Sequence, residues 1–258
     1  MTLRGKTVLI TGGSEGIGAA CAAAFRRRGA RLSLVARNEE NLRQVAGPDE
    51  VITAGDLTEA EVRRRAVGAT IERFGALDVL VNNAGVGLYA PTAAAPMTAV
   101  RRMWELNVFA PLELTQLAVP HMERQGGGVV VNVGSIAGKV TLPWMTLYSV
   151  SKFALNSLTD GLRMELKAKG IHTIAVCPGY VTTRFQDHVL GGRPSTAVQR
   201  SRMFSVTAGQ CAEAIVRAVE KEKRTVVIPA AGWLLAGFAR LFPAILDWQL
   251  ERIYRSVK

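Results

Sequence analysis

Cysteine and histidine are scarce in this sequence, with three residues of each among 258. They are far apart and lack the spacing of metal ligands, so we predict that the protein has no metal site. So few cysteines also exclude a disulfide framework and are typical of a cytoplasmic protein whose thiols are reduced and buried. The residues concerned are Cys21, Cys177, Cys211, His121, His172 and His188.

Long apolar runs and aromatic residues are also rare. The apolar stretch at residues 232–246 is interrupted by Arg240 and Pro243 and is too short to span a bilayer. Aromatic residues make up 6% of the chain, and no recognised nucleic-acid-binding motif accompanies them. We therefore expect neither a transmembrane helix nor a nucleic acid partner. A glycine motif as early as residue 12 leaves no room for a cleavable signal peptide.

Acidic residues are few relative to basic ones, 21 against 32, which gives a formal net charge of +11. The densest basic runs are Arg26–Arg28, Arg63–Arg65 and Arg101–Arg102, each in a predicted surface helix. We interpret these runs as solvated helix faces. The alternatives are attraction to an anionic substrate or to acidic lipid.

Short apolar segments rich in branched residues alternate with predicted helices along the whole chain. Strands of this kind are typical of a parallel sheet buried on both faces, with right-handed crossovers. No linker, repeat or low-complexity segment interrupts the pattern, so we expect one α/β domain over residues 1–258. The predicted strands are 32–36, 51–53, 79–81, 129–133, 174–176 and 226–228, besides the first at Thr7–Ile10.

The first strand leads into a glycine-rich loop and then into an alanine-rich helix, Ala19 to Phe25. Glycines between a strand and a helix allow a tight turn and close approach to a phosphate, which the N–H groups of the helix N-terminus then bind. The loop carries Gly12, Gly16 and Gly18. It predicts a nucleotide site.

Tyr148 and Lys152 form a candidate catalytic pair, four residues apart in a predicted helix and downstream of Ser135. On one helix face, the ammonium lies beside the phenol. We expect the ammonium to lower the pKa of Tyr148, which would make the phenol a general acid and base near neutral pH. A nearby serine hydroxyl would hold a carbonyl oxygen.

In the order and spacing of its motifs, the chain resembles the short-chain dehydrogenase/reductase family over roughly residues 5 to 185. The resemblance implies a doubly wound Rossmann sheet and hydride transfer with NAD or NADP. The motifs are Thr11-Gly12-x-x-x-Gly16-x-Gly18, Asn82-Asn83-Ala84-Gly85, Ser135 with Tyr148 and Lys152, and Pro178-Gly179.

The resemblance also implies roles for single residues. Ser135 and Tyr148 would hold the substrate oxygen, Lys152 would bind the nicotinamide ribose, and Asn107 would hold a water behind the lysine. The implied cofactor-binding residues are Gly12, Ser14, Gly16, Ile17, Gly18, Asp56, Leu57, Asn83, Ala84, Gly85, Tyr148, Lys152, Pro178, Gly179, Val181 and Thr183.

The residues after the second strand favour NADP(H) over NAD(H). An acidic side chain usually holds the adenosine ribose of NAD at this place, but the chain has Ala36 and then Arg37, which can pair with a 2′-phosphate. Glu15 opposes this prediction, because many NADP-binding members have a basic residue there. Asp56 and Leu57 resemble the family's adenine-contacting pair, and an alternative role for Asp56 is a helix N-cap.

Three further segments bear on the substrate. Residues 184–204 are predicted to form a mobile, basic lid with Arg184, His188, Arg193, Arg200 and Arg202. Trp144 and Met145 line an apolar pocket or belong to the core. Residues 232–258 are predicted to be a hydrophobic helical extension, which serves ordinary packing, a subunit contact, peripheral membrane association or an opening for a lipid-like substrate.

The sequence therefore predicts an oxidoreductase that transfers a hydride between NADP(H) and a small-molecule carbonyl or secondary alcohol, on an apolar or lipid-like substrate. The alternatives are an NAD-dependent alcohol dehydrogenase and a non-catalytic NADP(H)-binding scaffold or sensor. We expect a homodimer or homotetramer in the cytoplasm, with peripheral membrane contact through the C-terminal segment as a further hypothesis.

Overall fold

The computed structural model describes residues 1–192 and 205–255. The strands are β1 Thr7–Thr11, β2 Arg31–Ala36, β3 Val51–Ala54, β4 Val79–Asn82, β5 Leu88–Tyr89, β6 Gly128–Val133, β7 Ile171–Pro178, β8 Tyr180–Thr182, β9 Leu190–Gly191, β10 Ser205–Thr207 and β11 Thr225–Ile228. The helices are α1 Gly16–Arg27, α2 Glu39–Val45, α3 Ala60–Phe74, α4 Met97–Trp104, α5 Ala110–Arg124, α6 Thr146–Leu166, α7 Ala208–Glu220, α8 Gly232–Leu241 and α9 Pro243–Arg255. A π-helical turn, Glu105–Phe109, joins α4 to α5.

Seven parallel strands form the central sheet in the order β11-β7-β6-β4-β1-β2-β3. Their side chains alternate between the two faces. Val8 and Ile10 face a core built with α1, α2 and α7, whereas Leu9 faces a second core built with α3, α5 and α6. This arrangement confirms the predicted α/β class and doubly wound parallel sheet.

Local sequence explains where several helices begin and end. Alanine, the best helix former, dominates α1. Thr207 and Gln210 form a capping box at the start of α7, and Gly75 ends α3 in the left-handed conformation, with φ 71°. These signals fix the helices that cover the sheet.

The loops at the carboxyl ends of the parallel strands lie along one edge of the sheet. Five of them carry predicted cofactor residues: the loops after β1, β2, β3 and β4, and the loop after β7 with Gly179. The loop after β6 carries Ser135. Ligands of open α/β sheets bind at this edge, where the strand order reverses. In this sheet the reversal falls between β1 and β4.

One arginine of the predicted solvated helix faces is buried. Arg63 is only 5% exposed. Its guanidinium donates to the carbonyl oxygen of Leu57 at 2.7 Å and pairs with Glu105 at 2.9 Å and Glu113 at 2.6 Å. The side chain is buried because two carboxylates from outside α3 neutralise it. Arg63 therefore ties α3 to the π-helical turn and to α5.

Candidate active site

The loop after β1 has the geometry of a phosphate-binding turn. Gly12 and Gly16 adopt φ values of +64° and +55°, in the left-handed region that favours glycine. A Cβ on Gly18 would lie 1.9 Å from the carbonyl oxygen of Gly12, so only glycine fits there. Glu15 precedes α1 without capping it through its side chain. The positive end of the helix dipole therefore faces this loop without a carboxylate cap.

Ser14 lies in this loop and Ile17 in the first turn of α1, both half-buried. Ile17 packs against the core under the sheet. The two predicted cofactor residues thus lie beside the glycines, and their roles stay predictions.

The loop after β4 is fastened to the glycine loop. The hydroxyl of Thr11 accepts hydrogen bonds from the backbone N–H groups of Asn83 and Ala84, both at 2.9 Å. The side-chain amide of Asn83 donates to the carbonyl oxygen of Thr11 at 2.9 Å. A Cβ on Gly85 would lie 3.2 Å from Oδ1 of Asn107 and 3.4 Å from Nζ of Lys152. The Asn83–Gly85 segment therefore connects the glycine loop to the Tyr/Lys pair.

Ser135, Tyr148 and Lys152 meet at the carboxyl end of β6. Ser135 follows this strand, and α6 places Tyr148 and Lys152 on one face, as predicted. The Ser135 hydroxyl is close enough to the Tyr148 phenol to influence its pKa. Nζ of Lys152 donates to the carbonyl oxygen of Val133 at 3.0 Å and lies 5.8 Å from the centre of the Tyr148 ring.

The predicted lowering of the Tyr148 pKa is wrong. Burial raises the pKa of Tyr148 to about 12, although the nearby Ser135 hydroxyl acts in the opposite direction. Burial also lowers the pKa of Lys152 to about 8, against an opposing influence from Cys177. Loss of water disfavours the charged form of each group, and the ammonium is directed to Val133 instead of the phenol oxygen. The Tyr148 phenol is therefore neutral at neutral pH.

Asn107 lies in the π-helical turn and is fully buried. Its side chain accepts from the N–H of Val86 and donates to the carbonyl oxygen of Val86, each at 2.9 Å. It also donates to the Ser151 hydroxyl at 3.1 Å, and that hydroxyl donates to the carbonyl oxygen of Tyr148 at 2.7 Å. These bonds hold the helix of Tyr148 against the loop after β4. The predicted water-holding role of Asn107 stays a prediction.

Arg37 and Asp56 lie near each other at the ends of β2 and β3. Burial acts to raise the pKa of Asp56, but hydrogen bonds from Thr58 and the charges of Arg102 and Arg37 hold it below its ordinary value. Asp56 accepts from the N–H of Thr58 at 3.0 Å, whereas the N-cap of α3 is Glu59. The alternative of a helix N-cap for Asp56 is therefore wrong. Arg37 itself is exposed.

Leu57, the other predicted adenine contact, is 4% exposed and packs in the core shared with α3 and α5. Its carbonyl oxygen is the acceptor for Arg63 described above. The backbone of this residue is thereby fixed beside Asp56.

The side chain of Glu15 does not cap α1 and instead points to His188. Its Oε1 lies 2.7 Å from Nε2 of His188. His188 ends the turn Arg184–His188, which follows the predicted nicotinamide-binding stretch. A carboxylate paired in this way repels a nearby phosphate less than a free one when His188 is protonated.

Residues 183–191, here called the strap, run over the site. A Cβ on Gly16 would lie 3.3 Å from Cγ2 of Thr183, and the ring of Phe185 lies 6.0 Å from that of Tyr148. Leu190 and Gly191 then pair with Leu88 and Tyr89. The strap covers the first part of the predicted lid. The predicted lid residues Arg193, Pro194, Arg200, Arg202 and Phe204 lie outside the described residues.

The stretch before the strap is held by the sheet. Pro178 ends β7, and the N–H of Gly179 donates to the carbonyl oxygen of Ile228 at 2.7 Å. Val181 lies in β8, opposite Val206 of β10. These contacts bring Thr183 to the glycine loop.

Apolar side chains surround Tyr148. The cluster includes Val86, Leu88, Met103 and Ala137, with Met145 and Phe185 packed against it. Trp144 stacks on Tyr89 with ring centres 6.0 Å apart. The sequence did not single out Tyr89, although Leu88-Tyr89 closely follows the Asn82–Gly85 motif, and it placed Phe185 in the predicted lid without a contact to Tyr148.

No group of histidine, cysteine and acidic residues that could hold a metal ion occurs within residues 1–192 and 205–255. Over the same ranges, no helix is long and apolar enough to cross a membrane.

The fold and this site define a nucleotide-binding oxidoreductase, and comparison with known proteins identifies the family. The profile of the short chain dehydrogenase family matches residues 6–192. The chain is 32% identical to dehydrogenase/reductase SDR family member 7B of Danio rerio, over 94% of this chain and 84% of that protein. It is also 32% identical to the ketoacyl reductase HetN of Nostoc, over 98% and 90%. The chain belongs to the short-chain dehydrogenase/reductase family and is an NAD(P)-dependent enzyme of it.

Solved structures of the family have the same fold. A short chain dehydrogenase from Burkholderia cenocepacia in complex with NADP superimposes with a TM-score of 0.81 at 28% identity, covering 97% of this chain and 99% of that one. A family member from Burkholderia phymatum in complex with NAD gives a TM-score of 0.86 at 24% identity, covering 96% of each chain, and supports the fold alone.

Proposed function

We propose that this protein is an NADP(H)-dependent carbonyl reductase that acts on an apolar, lipid-like substrate, with Ser135, Tyr148 and Lys152 as catalytic residues and Asn107 in support. The observation that carries this proposal is the meeting of Ser135, Tyr148 and Lys152 at the carboxyl end of β6, with Tyr148 in an apolar cluster and the Lys152 ammonium 5.8 Å from the centre of its ring. A carbonyl oxygen between the hydroxyls of Ser135 and Tyr148 would find two donors in a site of low water content.

The residues of the glycine loop suit a nicotinamide cofactor. Gly12, Gly16 and Gly18 let the backbone approach a diphosphate, and the N-terminus of α1 favours its charge. Lys152 would bind the nicotinamide ribose, and the stretch from Pro178 to Thr183 would hold the carboxamide. When bound, the cofactor supplies the hydride.

The protein's own residues supply position and a proton. Negative charge grows on the substrate oxygen as its carbon is reduced, and the hydrogen bond from Ser135 stabilises that charge. Tyr148 then gives its proton to the oxygen, which is more basic than a phenolate. The Lys152 ammonium, which donates to Val133 while the phenol is neutral, would turn to the phenolate that remains and stabilise it, and Asn107 would hold a water that returns the proton. A phenol with a pKa of about 12 is protonated at neutral pH, which is the state that reduction of a carbonyl requires.

NADP(H) is favoured over NAD(H) by two side chains. Arg37 is exposed at the end of β2, where no acidic residue precedes it, and its charge already acts on Asp56. Glu15, which would oppose a 2′-phosphate, is paired with His188 at 2.7 Å. NAD(H) use, as in an alcohol dehydrogenase, is the alternative.

Arg37→Ala should weaken NADPH binding and leave NADH binding almost unchanged. A charge-assisted hydrogen bond contributes about 1.5–3 kcal/mol, which is roughly one to two decades in affinity. Fluorescence titration with both cofactors measures this difference, and Arg37→Lys, which keeps the charge, serves as the control. Equal or tighter binding of NADH by the unmodified protein would refute the preference.

The apolar cluster around Tyr148 supports a substrate with an acyl or other apolar chain, and the name of the Nostoc relative, a ketoacyl reductase, points the same way. A screen of ketones and acyl-thioester ketones of increasing chain length, run with NADPH, tests this choice. A non-catalytic scaffold or sensor would bind NADPH and oxidise it with none of them.

We also propose self-association as a dimer or tetramer in the cytoplasm. Phe109 at the end of the π-helical turn is 48% exposed, and Val150 and Phe153 on α6 are 43% and 42% exposed, and a second copy would cover them. The free cysteines Cys21, Cys177 and Cys211 are buried, which suits a reducing compartment. Light scattering of the purified protein gives the mass directly.

A further inference from the structure

The last two helices expose an unusual number of large apolar side chains. The pair α8 and α9, here called the C-terminal hairpin, leaves Leu234 77%, Leu241 73% and Trp248 59% exposed. A contiguous apolar patch on a protein surface marks an interaction site, whereas single exposed residues do not. The large apolar side chains exposed on this hairpin are Trp233, Leu234, Phe238, Leu241, Phe242, Ile245 and Trp248.

These side chains form one contiguous ridge and are not isolated from one another. Leu234, Phe238 and Leu241 are four and three residues apart, so they share one face of α8. The ring of Phe238 lies 5.4 Å from that of Phe242, which carries the ridge to the second helix. On α9, Ile245 and Trp248 are exposed, whereas Leu246 on another face is buried. The ridge therefore points away from the body of the protein.

Two arginines lie at the apolar ridge of this hairpin. The guanidinium of Arg252 lies 5.8 Å from the centre of the Trp248 ring, on the same stripe as Ile245 and Trp248. Arg240 is exposed beside Leu241 at the end of α8. Asp247 and Glu251 are four residues apart and share a neighbouring face of α9, on which Glu251 follows Trp248 by three residues. Arg240 and Arg252 thus place positive charge at the ridge, and an acidic face lies next to it.

We propose that the C-terminal hairpin docks on the surface of a membrane that contains anionic lipid. Tryptophan and phenylalanine favour the boundary between headgroups and acyl chains, and arginine is attracted to anionic headgroups. The net charge of +11 adds attraction at longer range. A second copy of the chain fits less well, because a two-fold contact would bring each ridge, with its arginines, against the same surface of the partner. This proposal does not depend on the reaction proposed above.

The hairpin is joined to the catalytic edge of the sheet. A Cβ on Gly232, the first residue of α8, would lie 2.6 Å from Cγ1 of Val227 and 3.2 Å from Cδ1 of Ile136. Ile136 directly follows Ser135. Docking through the hairpin therefore holds the site near the bilayer surface, where an apolar substrate dissolves.

Co-sedimentation of the full-length protein with vesicles tests the proposal. Vesicles of phosphatidylcholine mixed with phosphatidylserine should bind the protein at low salt, and vesicles of phosphatidylcholine alone should bind it more weakly. Leu234→Ser should weaken binding about tenfold, from the lost apolar burial. Met164→Ser is the matched control, because Met164 is 76% exposed but lies on α6, and it should change nothing.

Arginine substitutions test the electrostatic contribution to vesicle binding. Arg240→Gln and Arg252→Gln should each weaken binding to the anionic vesicles about fivefold, and Arg64→Gln on α3 should have no effect. NADPH titration of every variant shows that it is folded.

Full-length protein that stays in the supernatant with anionic vesicles at low salt would overturn the proposal. Equal losses in the hairpin variants and their controls would also overturn it, since binding would then reflect net charge alone. A hairpin variant that dissociates a dimer in light scattering, with no vesicle binding by the parent protein, would assign the ridge to a second copy.

Discussion

At the scale of single residues, burial decides the protonation states on which the chemistry depends. Tyr148 and Lys152 are 7% and 4% exposed, and burial favours the neutral form of both. The phenol keeps its proton at neutral pH, whereas the ammonium of Lys152, with a pKa of about 8, begins to lose its charge in the range in which enzymes are assayed.

The pH dependence of reduction should follow Lys152. Turnover should fall as the pH rises through about 8, because the neutral amine no longer stabilises the phenolate left when Tyr148 gives up its proton. Lys152→Arg keeps its charge at this pH, so the fall should move to higher pH even if the maximal rate is lower. Steady-state rates measured from neutral to alkaline pH under saturating NADPH check this.

An alkaline fall at the same pH in Lys152→Arg would assign it to another group. The pH dependence of NADPH binding is the control, since Lys152 is also a predicted cofactor contact.

Single residues also show which properties of the site the sequence does not predict. The i, i+4 spacing of Tyr148 and Lys152 correctly predicted a shared helix face. It could not give the direction of the ammonium, which is set by the carbonyl oxygen of Val133, nor the degree of burial. The predicted sign of the Tyr148 pKa shift was wrong for that reason.

At the scale of helices and strands, the side chain of Arg63 links three structural elements by ion pairs. It connects α3 with the π-helical turn through Glu105 and with α5 through Glu113. The π-helical turn contains Asn107, so this ion-pair network supports the backbone behind Lys152. The sequence could not reveal this role, because Arg63, Arg64 and Arg65 are equivalent until the helix is placed.

Arg63→Ala should destabilise the protein by about 3 kcal/mol, because it leaves two partly buried carboxylates without a partner. Arg64→Ala is the matched control on the next residue. Its ion pair with Glu61 joins side chains that are 55% and 66% exposed, so its loss should cost at most about 0.5 kcal/mol. Urea unfolding measures both free energies, and equal values for the two variants would contradict the assigned role.

The pairing of the strap is a second feature at this scale that the sequence did not predict. Pairing between β5 and β9 involves only two residues on each side, and strands so short leave no periodic pattern. The partners are also about 100 residues apart along the chain. The motifs on either side were recognisable, but the pairing that closes the strap over Tyr148 depends on the folded arrangement.

At the scale of the whole molecule, the fold was predictable because apolar strands and intervening helices repeat along the chain. Parallel strands then bring distant motifs to one edge of the sheet, and this accounts for the meeting of residues 12–18 with Tyr148 and Lys152. The mode of assembly and the partner of the C-terminal hairpin depend on surfaces that a single chain leaves exposed, and its sequence pattern does not name what covers them.

The central claim is that Tyr148 is the proton donor of an NADPH-dependent carbonyl reductase. The most direct test is single-turnover oxidation of bound NADPH by a carbonyl substrate, compared between the unmodified protein and Tyr148→Phe. The account predicts nearly unchanged NADPH affinity in Tyr148→Phe and a rate lower by roughly 10²–10⁴-fold, the range of general acid catalysis. A rate in Tyr148→Phe close to that of the unmodified protein would contradict it.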